Sequence, residues 1–343
     1  MSNEIGSIEN ESNKEENESN GENIENDSDD SVKKLDTEKD SNLEEGEEEN
    51  ELDEDQANAN PTLEFDVVKE GISLLCKTGN GLEHAYARFD CIGKKIENID
   101  ILENYIYLRF IDLSKNKLEN ISVLKNLTHL ITLNVSHNKL VKIPILNLPY
   151  LQRANFSHNN IKIVDEPLNY PLLEILDLSN NKIRKIYISE TTLLNVHTLE
   201  LRSNKIKSIN GINMPNLRNL FMAANRITLL SGISNMVQLS TLHLRDNAVE
   251  NLEGSNKILH IAELKKLVLL PALTSLMMMD NPVNDEEDYR LESLILLRKL
   301  DRLDKEMYTR EERIEAQEIQ EQRTAELQKV ENETEEAEEQ INE

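Results

Sequence analysis

The chain has 343 residues and a formal net charge of −27, and this charge is concentrated at its two ends. Residues 1–60 contain 23 acidic and 4 basic residues, residues 305–343 contain 14 and 5, and residues 61–304 contain 28 and 29. This distribution argues against nucleic acid as a partner, because the tails repel phosphate and the central region has no basic excess.

Residues 1–60 have the composition of an acidic disordered tail. They contain no aromatic residue and few large apolar side chains, so burial cannot offset the entropy lost on ordering them. The N-terminus also lacks the apolar run of a secretory signal, and no stretch approaches the ~20 apolar residues of a membrane helix. With two cysteines, Cys76 and Cys91, we expect a cytoplasmic protein in a reducing compartment that does not enter a membrane.

A helix is predicted directly after the acidic tail, over residues 62–77. Thr62 is a suitable N-cap residue, and apolar side chains follow at helical spacing at Phe65, Val68, Ile72 and Leu75. We expect this helix to cap the N-terminal end of the central region.

An apolar frame then recurs seven times between positions 108 and 252. Each copy follows Leu-x-x-Leu-x-Leu-x-x-Asn-x-Leu, and the asparagines that close it recur about every 22 residues, an interval typical of leucine-rich repeats. The predicted fold is therefore an α/β leucine-rich repeat solenoid with coils of this length and short parallel strands on its concave face. The asparagines are Asn116, Asn138, Asn159, Asn181, Asn204, Asn225 and Asn247.

These asparagines are predicted to have a buried structural role. The bend that ends each strand leaves backbone N–H and C=O groups inside the coil, and each costs about 1–3 kcal/mol if it stays unpaired. A carboxamide both donates and accepts hydrogen bonds, so stacked asparagines can satisfy the bends of adjacent coils. We therefore predict an asparagine ladder inside the solenoid.

Weaker copies of the frame flank the seven clear ones. Upstream, Lys94 takes the asparagine slot, one repeat length before Asn116, and the apolar slots hold Phe89, Cys91, Ile96 and Ile99. Downstream, the last copy ends at Asn281, and residues 289–303 then show near-helical apolar spacing. We interpret residues 289–303 as a closing helix and predict that the solenoid with its two caps spans residues 61–304.

Two segments depart from this regularity. The interval from Asn247 to Asn281 is too long for one coil and too short for two. We interpret residues 253–272 as a damaged or partly deleted repeat, a longer convex-side helix, or a fault in the gene model. Residues 305–343 are expected to be an acidic, partly helical tail that leaves the solenoid, frays after Val330 and becomes ordered on a partner.

No residue pattern indicates catalysis or metal binding. The Gly79-Asn80-Gly81 segment lacks the Lys-Ser/Thr of a phosphate-binding loop and is typical of a turn. His137 and His158 occupy the same slot in successive coils, but a metal site needs more ligands. No nucleophile and base occur at a predictable spacing. We therefore expect no enzyme activity, cofactor, metal or small-molecule substrate.

Protein binding by the concave face is the function that the repeat pattern favours. Apolar side chains that the strand alternation would expose suit an adaptable protein contact, methionine above all. An alternative is that the closing helix or the acidic tail covers Met277 and Met279. The candidate partner-binding residues are Phe110, Ile175, Phe221, His243, Arg245, Met277 and Met279.

Several strings are more specific than the repeat itself. They are KEGISLLCKTGNGL at 69–82, HAY at 84–86, LPYLQ at 148–152, LHLRDN at 242–247 and LDRLDKE at 300–306. With the acidic leader and the tail that begins at 308–316, the chain resembles the leucine-rich repeat-containing protein 23 family. This resemblance covers about residues 61–316, apart from the irregular stretch.

The resemblance implies a structural part of the axoneme of motile cilia and sperm flagella. Its partners would be other proteins of the radial spokes, within the third spoke near its head, and its location the cytoskeleton. The repeat class also resembles a cytosolic regulator of a protein phosphatase, which is a second hypothesis. The acidic tails allow a third, a histone-chaperone-like binder of basic proteins.

Overall fold

The computed structural model describes residues 61–79, 81–165, 168–188, 193–247 and 263–342. Side chains in the C-terminal segment are described up to position 334. The predicted acidic tail at 1–60 lies outside the described residues, as do residues 253–262 of the irregular stretch.

A single curved sheet forms the concave side of the described chain. Its strands are β1 Ile72–Lys77, β2 His84–Asp90, β3 Phe110–Asp112, β4 Thr132–Asn134, β5 Arg153–Asn155, β7 Ile175–Asp177, β9 Thr198–Glu200, β10 Asn219–Phe221, β11 Thr241–His243, β12 Ser275–Met277, β13 Arg302–Leu303 and β14 Glu306–Met307. Neighbouring strands are parallel from β2 to β13, while β1 and β14 are antiparallel to their neighbours at the two ends.

Each three-residue strand of the main sheet, from β3 to β12, buries its central residue and the apolar residue two places later. In the coil of β7, Leu176 and Leu178 are fully buried, whereas Ile175 and Asp177 are half-buried on the concave side. Parallel pairing places equivalent residues side by side, as in Ile175 beside Thr198. One continuous apolar core therefore runs along the solenoid, and each coil depends on its neighbours to cover it.

The convex side contains short, mostly irregular connections. Two short strands, β6 (Ile163–Val164) and β8 (Lys185–Ile186), pair in parallel there. Single turns of 3₁₀ helix occupy Asp100–Asn104, Ser122–Asn126, Lys265–Leu269 and Pro282–Asp285. The predicted repeat solenoid is confirmed. The α-helices whose bounds are described in full lie at its two ends, and residues 263–264 are α-helical within a coil.

The asparagines lie inside the coils and bond in two directions. The Asn181 amide donates to the carbonyl oxygens of Phe156, Leu178 and Ser179 at 3.0 to 3.1 Å. Its Oδ1 accepts a 3.0 Å bond from the N–H of Ile161. Phe156 and Ile161 belong to the preceding coil, so one side chain satisfies the bends of two coils. The other members repeat this arrangement of amide donation: Asn116, Asn138, Asn159, Asn204, Asn225, Asn247 and Asn281.

The N-terminal cap differs from the prediction of a helix over residues 62–77. The helix spans only Phe65–Gly71, and residues 72–77 form β1, which pairs with β2. Gly71 lies so close to β2 that a Cβ atom there would be 2.5 Å from the carbonyl oxygen of Asp90. The prediction was wrong for residues 72–77 because the edge of β2 pairs with them as a strand. Of the apolar face expected for the longer helix, Val68 is fully buried.

The C-terminal cap also contains more sheet than predicted. The closing helix ends at Leu296, not at residue 303, and the chain returns to form β13 beside β12. Residues 289–303 therefore combine a helix of two turns with one further coil. The Asp304 carboxylate accepts hydrogen bonds from the backbone N–H groups of Met278 and Met279 at 2.7 and 3.1 Å. It satisfies donors at the end of the sheet.

The C-terminal helix spans Arg310–Asn342 without interruption. Ala316 is buried, and Ile319 is half-buried, against the rest of the cap. An ion pair joins Arg290 to Glu312, and this hydrogen-bonded pairing lowers the pKa of Glu312 to about 2. The segment after residue 304 thus begins as part of the cap. The helix continues past Val330, where fraying was expected, and the described side chains from 321 onward are exposed.

The irregular stretch separates two strands that are direct neighbours in the sheet. β11 pairs in parallel with β12, so no described strand lies between them in the sheet. Leu264, Leu267 and Leu270 are buried in the positions that precede the last repeat. The buried Glu263 carboxylate accepts a 3.1 Å bond from the N–H of Leu230 and pairs with Lys266. This carboxylate supplies an acceptor for the convex backbone of the preceding coil.

Asn181→Ala should lower the free energy of unfolding by about 3 kcal/mol, since it leaves several buried backbone groups without partners. The matched control is Asn195→Ala, which removes a surface amide that also bonds the preceding coil, at the carbonyl oxygen of Pro171. We expect the control to lose about 0.5 kcal/mol. Urea denaturation of both variants measures the difference, and equal losses would contradict the ladder's buried role.

Ala316→Glu should detach the start of the C-terminal helix, because a charge would be forced into the buried contact with the cap. Amide hydrogen exchange is expected to increase at residues 310–323. Ala325→Glu, in the exposed part of the same helix, is the control and should leave exchange in that region unchanged. Unchanged exchange in both variants would show that Ala316 does not hold the helix.

Candidate functional site: the concave face

The alternate strand residues form three columns along the concave face. Of the candidate residues, Phe110 and Ile175 lie in the first column, and Arg245 and Met279 lie in the third. The second column brings together Phe221, His243 and Met277, which the register places side by side on β10, β11 and β12. Phe110 and Ile175 are separated from each other by strands β4 and β5.

The apolar candidates are less exposed than the strand alternation alone predicts. Phe110, Ile175, Phe221, Met277 and Met279 are all half-buried, and Arg245 is exposed. Strands lie ~4.8 Å apart, so side chains in adjacent coils cover one another's flanks. Each of these residues therefore presents part of its apolar surface to solvent.

An aromatic cluster lies at the centre of the second column. The Phe221 and His243 rings meet edge to face, with centroids 4.7 Å apart. The guanidinium carbon of Arg202 lies 4.5 Å from the centroid of Phe221, within the range of a cation–π contact. We call Arg202, Phe221, His243 and Met277 the concave patch.

The charges around the concave patch are partly desolvated. Burial raises the pKa of Glu200, and Asp177 raises it further while Arg202 opposes both. Burial lowers the pKa of His243, and the nearby positive charge of Arg202 adds to this effect. His243 is therefore expected to be neutral at pH 7, so the patch combines a neutral aromatic pair with one stacked cation.

Arg202 was not among the candidate residues, although its side chain is central to the patch. The sequence placed it in the third column, next to the second-column residue Glu200. A third-column arginine followed by an aromatic residue in the next coil is a signal that a column-by-column comparison could have found. The long Arg202 side chain reaches across one column and one coil to Phe221.

The remaining second column is polar. From the N-terminal end it contains Asp90, Asp112, Asn134, Asn155, Asp177 and Glu200. Asn134 donates a 2.9 Å hydrogen bond to Asp112 in the preceding coil. The concave face thus changes from acidic and amide side chains in its first coils to aromatic and thioether side chains in its last coils.

The terminal hairpin, rather than a helix, adjoins the two methionines of the last coil. β13 is the strand next to Met277, and Asp304 of the hairpin bonds the backbone of Met279. Both methionines remain half-buried. Arg245 pairs with Asp280 at 2.6 Å beside them, which adds a polar margin to this end of the face.

Three further residues with titratable side chains, His137, His158 and Cys91, do not belong to the concave patch. His137 and His158 stack with ring centroids 3.9 Å apart, and burial first, then His158 and Lys115, lower the pKa of His137. Burial raises the pKa of the Cys91 thiol. Among the described residues, no group of three His, Cys, Asp or Glu side chains is placed to hold a metal ion.

The described helices were compared with the length and hydropathy of membrane-spanning helices. Across the described ranges, no helix has both the length and the apolar character needed to cross one. The exposed part of the long C-terminal helix is rich in glutamate.

Comparisons with known proteins agree with the repeat architecture. No protein-family profile matches the chain. Bovine leucine-rich repeat-containing protein 23 is 41% identical over 272 residues, which cover 75% of this chain and 79% of the relative. The human protein of the same name is 39% identical, covering 74% and 78%. The functional domain of InlJ from Listeria monocytogenes has a TM-score of 0.47 at 21% identity, covering 64% of this chain and 53% of that one.

The match to these relatives covers most of both proteins. Identity is near 40% over about three quarters of this chain and of each relative. The chain therefore belongs to the leucine-rich repeat-containing protein 23 family.

Proposed function

We propose that this chain is a non-enzymatic structural subunit of the radial spokes in ciliary and flagellar axonemes. In this proposal it supports ciliary and sperm motility by binding other spoke proteins and resides in the cytoskeleton of the cilium or flagellum. The observation that carries the proposal is family membership, with identity near 40% to four vertebrate relatives. The spoke role itself comes from the family resemblance.

The concave patch supports binding to a protein surface. Phe221, His243 and Met277 offer adjacent, partly exposed aromatic and thioether groups on three rigid strands. The aromatic rings lose little conformational entropy on contact, and the flexible thioether adapts to an apolar partner surface. Arg202 stacks on Phe221 within the patch, and Arg245 provides a charged group beside it. Charged groups around an apolar centre are typical of protein interfaces.

The sheet gives this surface its rigidity. The strands that carry the patch are fixed by parallel pairing on both sides and by the buried leucines beneath. A partner would therefore meet a preformed surface, which lowers the ordering cost of association. These properties suit a permanent assembly, and they require no catalytic group.

The spoke proposal makes a direct biochemical prediction. The protein should remain with axonemes after detergent extraction of ciliated cells, because a structural subunit is held by the microtubule assembly. Immunoblotting of the soluble and axonemal fractions measures this. Recovery wholly in the soluble fraction would contradict it.

Affinity capture of the full chain separates the remaining hypotheses. Spoke proteins are the expected partners. Capture of a stoichiometric phosphatase catalytic subunit instead would favour the regulatory-subunit hypothesis. Capture of histones would favour the acidic-chaperone hypothesis if it were lost on removal of residues 1–60. Such contacts with the tail would also weaken as salt concentration rises.

Phe221→Glu and Met277→Glu should weaken partner binding at least about tenfold, because each introduces a charge into the centre of an apolar contact. Thr132→Glu, on the same face but several strands away, should have little effect. The readout is co-purification with axonemal proteins in cells that express only the variant.

Leu178→Glu provides the folding control for these substitutions. A charge at this fully buried position should lower the free energy of unfolding by more than about 4 kcal/mol, while the concave substitutions should cost about 1 kcal/mol. Thermal melts measure this difference. Equal losses would show that Phe221 and Met277 act as core residues rather than as a binding surface.

A further inference from the structure

Basic side chains accumulate on the outer surface of the middle coils. They follow the ladder asparagines by one, three or four positions, and the residues between them, such as Ile183 and Ile206, are buried. The basic residues are therefore directed outward together. We call this set the basic surface: Lys162, Lys182, Arg184, Lys185, Lys205, Lys207 and Arg226.

Backbone pairing fixes the spacing of these charges. β6 and β8 pair Ile163 with Lys185, and bridges at Ile188 to Ile212 and Ser208 to Leu229 continue the register across later coils. Equivalent residues of adjacent coils are therefore ~4.8 Å apart. Like charges at this spacing repel one another. The approach of an anion would reduce this repulsion and so lower the free energy of the arrangement.

Among the described residues, these charges lack the acidic partners that equivalent lysines have elsewhere. In earlier coils, Lys117 pairs with Glu97 at 3.4 Å and Lys139 pairs with Glu119 at 3.7 Å. Lys182 and Lys205 occupy the same slot, immediately after a ladder asparagine. Within the described ranges, no ion pair involves any residue of the basic surface.

The basic surface borders a concavity with both charged and apolar walls. An open depression of about 800 Å³ is lined by Arg184, Lys205, Lys207, Arg226 and Tyr187, and no acidic residue of the described chain lines it. The Tyr187 side chain is 56% exposed, and Ile163 nearby on the paired strand is 44% exposed. An occupant would meet cations interspersed with apolar groups.

We propose that the basic surface binds an acidic peptide segment of a partner protein, in which carboxylates alternate with apolar residues. Five of its seven cations are lysines, whose compact ammonium groups pair with carboxylates without demanding a fixed bidentate geometry. The exposed tyrosine and isoleucine fit apolar side chains of a peptide. Nucleic acid is disfavoured because the full chain carries a net charge of −27, which repels a dense array of phosphates.

This site lies on the convex side and is separate from the concave patch. The proposal does not depend on a spoke role, because it rests on charge placement alone. An acidic segment bound here would leave the concave patch free for a second contact. The chain would then hold two partners, or two parts of one partner, on opposite sides of overlapping sets of coils.

Fluorescence anisotropy of the full chain tests the proposal with a labelled peptide that alternates glutamate and leucine. The peptide should bind at about 50 mM salt and weaken strongly at about 500 mM, where screening shortens the reach of the charges. Lys182→Gln with Lys205→Gln should raise Kd about fivefold, because each lost contact is worth about 0.5 kcal/mol. A peptide with glutamine in place of glutamate should bind at least about tenfold more weakly.

Lys117→Gln with Lys139→Gln is the matched control, since it removes the same charges from the same slot in coils where they already have acidic partners. It should leave Kd nearly unchanged. Equal weakening by both pairs would overturn the proposal in favour of diffuse attraction. Tighter binding of a single-stranded oligonucleotide, lost in the first pair alone, would overturn it in favour of a nucleic-acid site, and absence of peptide binding at low salt would refute it outright.

Discussion

The hydrogen bonds of the buried asparagine amides connect each coil to the one before it, and the rest of the solenoid depends on this connection. Each bend leaves carbonyl and N–H groups in an apolar interior, where unpaired groups are costly. A carboxamide such as that of Asn181 reaches three carbonyl oxygens and one N–H across two coils. Aspartate would have no donors for those carbonyls, and an apolar side chain would have neither donors nor acceptors.

A stack of this kind leaves one unsatisfied coil at each end, and both ends use antiparallel strands to cover it. β1 covers the edge of β2, and β14 folds back on β13. Edge strands otherwise expose rows of unpaired backbone groups that invite association. Polar side chains also pair backbone groups near these ends. The Asp304 carboxylate, for example, accepts hydrogen bonds from the N–H groups of Met278 and Met279.

Because the interior is fixed by a repeating frame, the outer positions vary without cost to the fold. The chain uses this freedom to place different chemistry on the two sides of overlapping sets of coils. The concave side carries the aromatic contact between Phe221 and His243 beneath Arg202. The convex side carries lysines and arginines around Tyr187. A rigid body with two such faces is suited to hold other proteins in a defined relative position.

The periodic part of this structure could be predicted from the sequence because every coil must bury the same apolar frame and pair the same backbone groups at its bend. The spacing of Asn116 to Asn281 predicted the strands, the buried leucines and the ladder. It also placed Phe221, His243 and Met277 in one column. The degree of exposure of that column could not be read in the same way, because it depends on side chains from adjacent coils such as Arg202.

The sequence by itself determined the coil, since a frame of leucines and an asparagine has one arrangement that buries the first and satisfies the second. Only the tertiary structure decided how the ends close. Residues 72–77 have apolar spacing compatible with a helix, yet they form a strand because β2 presents a free edge. Residues 302–303 pair with β12 for the same reason. The conformation of these segments depends on a neighbouring strand that is in place only after the solenoid has formed, so the local spacing of apolar residues cannot predict it.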